Sequence, residues 1–325
     1  MRIRVFFFIT AIVFLGIIGL GDAYGAEYPS KPIEIFCTFT PGASMDALAR
    51  LVAEVGQKYT GQSMVVVNKP GAGGSIAAAE IVSSKPDGYK LIVLGNLFRA
   101  GVVKTQKVPF DPEDIVPLAN FMELRQGLVV GADRPWKTLE DVITYARKNP
   151  GKFTWGHGGR GTGIHLIAFY IFKTAGVQTT DLPFKGAAEN ITAILGGHVD
   201  GMSTSYSPVK DHIRTGRLRC LTFFSDRRFP DQPDIPSVME LGFPDACKLA
   251  TYVGVYAHRS TPQNVKSYLV DVLKKIYDDP RFQKGIQYLG EDLRYGGPEW
   301  TMDSIRKAEE ISVPVLKEIG LYVGK

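Results

Sequence analysis

From residue 33 onward, runs of apolar residues alternate with stretches whose apolar positions recur every three or four residues. Ile33 to Phe39 reads as a strand. Thr40-Pro41-Gly42-Ala43-Ser44 interrupts it, and Leu48, Leu51, Val52 and Val55 then follow at helical spacing. Ser63 to Val67 is a second, Val-rich strand. The glycine loop Pro70 to Ser75 leads into a small-residue helix from Ile76 to Val82, and Pro86-Asp87-Gly88 turns into a third strand, Tyr89 to Leu94.

The cycle restarts after Leu124. Gly127 to Gly131 is a short strand, and Leu139, Val142, Ile143 and Ala146 share one helical face. Phe153 to Trp155 runs into a further glycine loop, Gly156 to Gly163, and then into a helix with Ile164, Ile167, Ala168 and Ile171 in register. Asp181 to Phe184, Ala187 to Leu195 and Val199 to Met202 repeat the strand–helix–strand unit, and Leu218 to Phe224 adds a strand. Pro230 to Pro244 is proline-rich and irregular. Thr251 to Ala257 reads as a strand, and amphipathic helices follow over 265–276 and from Trp300. Repeated β-loop-α units predict an α/β protein with parallel sheets covered by helices. Two such cycles and a helical tail suit two lobes.

The N-terminus changes the picture of where the chain works. Met1-Arg2-Ile3-Arg4 is a basic head, Val5 to Leu20 is apolar, and Gly21 to Ala26 turns small and polar. That is the plan of a secretory signal, residues 1–25, cut between Gly25 and Ala26. The apolar run is shorter than the roughly 20 residues that a spanning helix needs. Net charge is +5 with Lys and Arg scattered rather than striped, so no nucleic-acid partner is expected. Cys37 reads as a buried thiol. Cys220 and Cys247 could bridge in an oxidising compartment, but their spacing does not establish it.

In open α/β sheets, ligands settle beyond the carboxyl ends of strands, where helices begin. The first turn of a helix leaves unpaired N–H groups and a partial positive charge of about half a unit, and glycines let a ligand approach them. Thr40 to Asp46, Pro70 to Ser75 and Gly156 to Gly163 all occupy that position. Each taken alone fits a tight turn with an N-cap; three together predict an anion cleft. Asn96 and Arg99 follow the third strand, and Arg160 lies in the third loop, so either arginine could pair with a carboxylate. His157 and His165 flank that loop and read as hydrogen-bonded structural residues rather than acid–base groups. Gly156 to Gly161 also matches G-x-G-x-x-G with Asp181 beyond it, the form of a dinucleotide fingerprint, and leaves an exported NAD-binding oxidoreductase as the alternative. P-loop, serine-elbow and H-E-x-x-H patterns are absent from the sequence.

Tyr28-Pro29-Ser30-Lys31-Pro32-Ile33 and Thr40-Pro41-Gly42-Ala43-Ser44-Met45-Asp46 resemble the opening of the tripartite tricarboxylate transporter receptors, the Bug proteins. Asn68 to Gly74, Lys85 to Tyr89, Gly159 to Leu166, Pro183 to Gly186 and Gly196 to Asp200 look like that family's later motifs, in order, over essentially the whole mature chain. The resemblance implies a two-lobed periplasmic binding protein of type II, a small carboxylate ligand, no cofactor, and a partner of two integral membrane subunits. It also implies that backbone groups of Thr40 to Asp46 and of Gly73, Gly74 and Ser75 hold the carboxylate. Gly161, Thr162, Lys185, Ser203, Thr204 and Ser205 would set selectivity from the second lobe. Ala43 replaces a usual second glycine, His157 a commonly small residue, and Thr204 a position that is often acidic.

The reading therefore expects a monomeric receptor with one lobe from 26–124 and 251–325, the other from 125–250, and hinges near residues 125 and 250. A mono- or dicarboxylate, aliphatic or aromatic, would close the lobes around itself.

Overall fold

The computed structural model describes residues 28–324, so the expected leader, residues 1–25, lies outside the described residues. In chain order the strands are β1 (Ile33–Cys37), β2 (Met64–Asn68), β3 (Lys90–Gly95), β4 (Ile115–Glu123), β5 (Gln126–Gly131) and β6 (Thr154–His157). After them come β7 (Thr180–Pro183), β8 (Gly201–Ser205), β9 (Leu218–Phe223), β10 (Tyr252–His258) and β11 (Asp292–Gly296). The helices that position the site are α1 (Ser44–Thr60), α2 (Ser75–Ser83), α3 (Leu97–Ala100), α4 (Leu139–Lys148), α5 (Gly163–Thr174) and α6 (Ala187–Leu195). Four more follow: α7 (Lys210–Arg214), α8 (Gln263–Asp278), α9 (Pro280–Tyr288) and α10 (Pro298–Glu318).

Two sheets form, in the orders β11-β4-β10-β3-β1-β2 and β7-β6-β8-β5-β9. They are mixed rather than purely parallel, which corrects the sequence expectation. β10 is antiparallel to β3 and β4, and β5 is antiparallel to β8 and β9. The reason is topological: β5 and β10 are the strands that arrive straight from the other sheet, and each is inserted between strands that run the opposite way. The chain passes between sheets at Leu124–Arg125 and again before Tyr252.

β4 has no counterpart in the hydrophobic pattern, because Pro117 and Asn120 interrupt it. Proline and a polar side chain argue against a central strand. The sheet absorbs both: the β4–β10 register shifts between Val255 and Tyr256, beside Pro117, and between Val253 and Gly254, beside Asn120. Asn120 Nδ2 donates to Arg294 O at 2.7 Å.

Each sheet buries its own core. In the first, Ile33, Ile35, Leu48, Val52, Leu91, Val93 and Val255 meet Leu269, Leu273 and Phe282. In the second, Trp155, Phe153, Leu166, Ile167 and Phe172 pack together. That second cluster also takes in Leu97 and Ala100 from α3 and Ala308, Val315 and Leu316 from α10, so the C-terminal helix packs across both halves. Ser312 Oγ donates to Ala100 O, and Lys248 pairs with Glu310 at 3.3 Å. All three cysteines are free and buried. Among the described residues no helix is long and apolar enough to cross a membrane.

Candidate functional site

A cavity of about 540 Å³ opens between the two sheets. Phe39, Gly42, Ala43, Ser44, Met45 and Leu124 line it from the first, and Gly158, Ile164, Ala187, Asn190, Ser203, Thr204, Ser205, Ser207 and Pro208 from the second. Among the described residues that line it, none carries an ionisable side chain. Its polarity comes from backbone groups, hydroxyls and one amide.

Three helices begin at this cavity, at Ser44, at Gly163–Ile164 and at Ala187. Their N-cap positions, Ala43, Thr162 and Gly186, make no side-chain cap bond. The first backbone donors with a partner inside each helix are Ala47 (to Ala43 O, 2.9 Å), Leu166 (to Thr162 O, 2.9 Å) and Asn190 (to Gly186 O, 3.3 Å). The N–H groups of Ser44 to Asp46, and of the opening residues of α5 and α6, therefore have no intrahelical acceptor. Elsewhere the chain does cap: Thr138 and Asp141 form a capping box on α4, and Asp279 accepts from Arg281 N at 2.9 Å on α9. The three positive ends converge from both sheets on one neutral space, an arrangement that favours an anion.

The first loop is held in shape from behind. Asp46 Oδ2 accepts from Gly42 N (2.9 Å) and Arg50 Nε (2.9 Å), and its Oδ1 from Asn68 Nδ2 (2.7 Å). Burial works against its charge, yet the bonds from Arg50, Asn68 and Gly42 outweigh that and hold the carboxyl below its usual range. Gly42 carries φ +91°, a left-handed conformation that only glycine adopts without strain. Ser44 Oγ donates to Glu291 Oε1 (3.0 Å), and Glu291 Oε2 accepts Arg125 N (2.9 Å). Burial raises the Glu291 carboxyl. This single side chain ties the cavity loop to the crossover between sheets.

The other expected site residues sit elsewhere, and each has a local occupation. Thr40 O accepts Ala43 N at 3.3 Å, a turn that stands just outside the lining. Gly73, Gly74 and Ser75 lie against the segment after α3: a Cβ on Gly73 would approach Val102 Cγ1 to 2.6 Å, and Ser75 Oγ accepts Gln106 Nε2 at 2.8 Å. Asn96 is fully buried and clasps the second crossover, donating from Nδ2 to Ala250 O (3.1 Å) and accepting Tyr252 N at Oδ1 (2.9 Å). Arg99 pairs with Glu113 (2.5 Å) and Glu309 (3.6 Å). Lys185 is exposed, and its N–H donates to Glu189 Oε2 at 2.9 Å. Gly161 abuts Thr105 across the sheets, and Thr162 Oγ1 donates to Gly159 O at 2.7 Å. Of the expected set, Gly42, Ala43, Ser44, Ser203, Thr204 and Ser205 line the cavity; Ser203 Oγ donates to Ile164 O at 2.6 Å. Met45 and Gly158 belong to the two loops singled out in the sequence, whereas Phe39, Leu124, Ile164, Ala187, Asn190, Ser207 and Pro208 were not legible as site residues, being apolar or polar positions without a motif.

The third loop differs from the first. His157 Nδ1 accepts Gly159 N (3.1 Å) and His165 Nδ1 accepts Gly161 N (3.1 Å). The Nε2 atoms face Asp181 Oδ2 at 3.1 and 3.6 Å, and Arg160 Nη2 lies 3.1 Å from the same oxygen. Because each Nδ1 accepts a backbone N–H, the ring proton of each histidine sits on Nε2; desolvation lowers both groups, His165 to about 4. The loop donors that a pyrophosphate would need are filled by histidine, and the acid that a ribose would need is occupied. The dinucleotide reading does not fit this geometry. His157, His165 and Asp181 also bring ligand atoms within 4.8 Å of one another, as a metal site would. A metal on both Nε2 atoms would put N–H on Nδ1, opposite the Gly159 and Gly161 N–H donors, whereas metal-bound imidazoles donate to an acceptor there. The cluster pins the loop instead.

Comparisons with known proteins agree with this architecture. The model of the tripartite tricarboxylate transporter family receptor, TctC, matches residues 48–321. The chain is 34% identical to the UPF0065 protein of the gbd 5′ region of Cupriavidus necator over 92% of this chain and 91% of that one. A TctC solute-binding protein from Polaromonas superposes with a TM-score of 0.77 at 28% identity, covering 89% of this chain and 99% of the other. An R. palustris protein determined with adipate superposes at 0.76 and 25% identity, covering 90% and 99%. With two helix-flanked sheets, a cleft between them, and a family model spanning most of its length, the chain belongs to the tripartite tricarboxylate transporter receptor family of solute-binding proteins.

Proposed function

We propose that this protein is an exported, non-catalytic receptor that captures a small carboxylate between its lobes and hands it to a transporter of two integral membrane subunits. The lobes are residues 26–124 with 251–325, and 125–250, hinged near 125 and 250; the receptor works as a monomer in the periplasm. One observation carries the reading: three uncapped helix N-termini, from both sheets, meet at a cavity whose lining has no ionisable side chain. Such a site compensates a carboxylate with backbone dipoles rather than with a cationic side chain. The adipate found with the R. palustris relative supports a carboxylate of that size. Ligand contact with both lobes favours the closed form, because only that form makes both sets of bonds.

The test is thermal unfolding of the mature protein against a panel of mono- and dicarboxylates, with NAD as a control. Several acids should raise the melting temperature in a concentration-dependent way. A midpoint unmoved by every acid but raised by NAD would reverse the conclusion.

A further inference from the structure

Leu124 lines the cavity, and Glu123 and Arg125 on either side of it do not. Glu123, the last residue of β4, stands opposite Asp292 of β11 in the antiparallel register. Like charges facing each other across two strands are destabilising unless a cation joins them. Arg227, in the segment after β9 of the other sheet, is that cation. Its Nη1 lies 3.4 Å from Glu123 Oε2, and its Nη2 donates to Asp292 Oδ2. Arg125, just past the crossover, adds a longer contact to Asp292 Oδ1 at 3.8 Å. Glu123 is fully buried, and among the described residues Arg227 is its only ion-pair partner.

The tie is reciprocal. Asp292 and Arg294 are two apart on β11, a spacing that puts both on one side of a strand. Arg294 Nη2 donates at 2.6 Å to Oδ2 of Asp226, the residue beside Arg227. Its guanidinium also lies against Tyr252 and Trp300, 5.8 and 5.9 Å from their ring centres. Each half of the molecule thus offers an acid and a base from neighbouring positions and receives the opposite charge in return. Isolated surface pairs contribute little, but these guanidinium groups are partly buried and each is held on more than one side.

We propose that this reciprocal set of ion pairs restrains the turning of the two lobes about the crossovers, with Asp226 and Arg227 on one side and Glu123, Asp292 and Arg294 on the other. When the lobes turn apart, Arg227 withdraws and leaves Glu123 and Asp292 facing each other without a countercharge. The excursion is therefore unfavourable, and the cleft keeps close to the opening it has here. None of the five side chains lines the cavity, so the device sets how freely the cleft opens without touching a ligand. From the proposed function it takes only that the lobes turn at the crossovers; the nature of the ligand does not enter.

Amide hydrogen exchange of the full mature chain, with no acid present, tests this, so its failure leaves the carboxylate reading standing. The N–H groups of Leu124, Arg125 and Tyr252 are bonded at the crossovers, to Thr251 O, Glu291 Oε2 and Asn96 Oδ1, and report local opening there. In Arg227→Ala these three should exchange about tenfold faster, while the amides of β1 and β6 keep their native rates. The same substitution in a Glu123→Gln, Asp292→Asn background, where no like charges remain to be bridged, should add nothing further. Arg294→Ala cuts the other arm and should give the same pattern by a smaller factor, about threefold, which keeps the test open should Arg227→Ala not fold. Native exchange at the crossovers in a variant with native circular dichroism overturns the proposal. So does equal acceleration in β1 and β6, which would make the charges props of the whole fold rather than of the joint. An undiminished effect of Arg227→Ala in the background lacking both acids overturns it as well.

Discussion

Two strand-to-helix loops of this molecule hold the same place in their sheets and behave differently in space. Both follow a strand, both precede a helix, and both lie where ligands gather in α/β sheets. In the loop from Thr40 to Asp46, the one acidic side chain turns back to Gly42, Arg50 and Asn68. The N–H groups of Ser44 and Met45 are left facing the cavity without a cap. In the loop from Gly156 to Gly163, two histidines reach in and take the N–H groups of Gly159 and Gly161. Glycine spacing announces that backbone donors could be approached. Whether they are free depends on which side chains the rest of the fold brings to them.

The contrast can be broken most strongly by capping the open loop. Ala43 has φ −74° and ψ 157°, the conformation of an N-cap residue. Ala43→Asp should cap α1 and put a negative charge at the cavity, weakening carboxylate binding by about a hundredfold or more while stabilising the fold by about 1 kcal/mol. Calorimetry and thermal melts read the two opposite effects. Loss of both stability and binding would mean that the N-terminus is not free.

The closed loop should show its histidines in acid. His165 has a folded value near 4 against an ordinary 6.5, so its contribution is complete above about pH 6.5 and is lost progressively toward pH 4. The lowered group binds a proton more readily in the unfolded chain, and that drives the loss. Stability should fall over this window by on the order of 3 kcal/mol, read as a drop in melting temperature, and His165→Gln should flatten the fall. An acid limb identical in the variant contradicts the assignment.

A smaller effect is expected at the joint between loop and crossover. Glu291→Gln replaces one of two acceptors with a donor that opposes either Ser44 Oγ–H or Arg125 N–H. It should cost about 1–3 kcal/mol in thermal unfolding and weaken binding severalfold. At Asn96, whose two bonds hold Ala250 and Tyr252, alanine should destabilise by a comparable amount with ligand contacts untouched. Binding lost there out of proportion to stability would place Asn96 in the site after all.

The α/β class, the two halves and most helix starts were legible because each rests on local periodicity. Leu48, Leu51, Val52 and Val55 need only a helical wheel to declare their face. β4 was hidden because Pro117 and Asn120 break the pattern and two register shifts, set by β10 more than a hundred residues away, absorb them. The antiparallel insertion of β5 and β10 is a consequence of which sheet each strand arrives from, and no window of sequence contains that. The site divides the same way. Gly42, Ala43 and Ser44 follow from the strand–loop–helix rule, and Ser203 to Ser205 from the family resemblance. Asn190 has no motif, and its amide packs against Gly156, which is bare on a strand more than thirty residues earlier. Arg99 and Arg160 were attractive as cations near loops, but Glu113, Glu309 and Asp181 claim them.

Amide resonances give the most direct view of the central claim, that bare helix ends rather than cationic side chains grip the anion. In a proton–nitrogen correlation titration with the tightest-binding acid of the panel, the N–H signals of Ser44, Met45 and Ala187 should move downfield together, with Gly159 and Gly161 unmoved. Movement of Gly159 and Gly161 with Ser44, Met45 and Ala187 still would contradict the account, since the acid would then occupy the donors that His157 and His165 are described as filling.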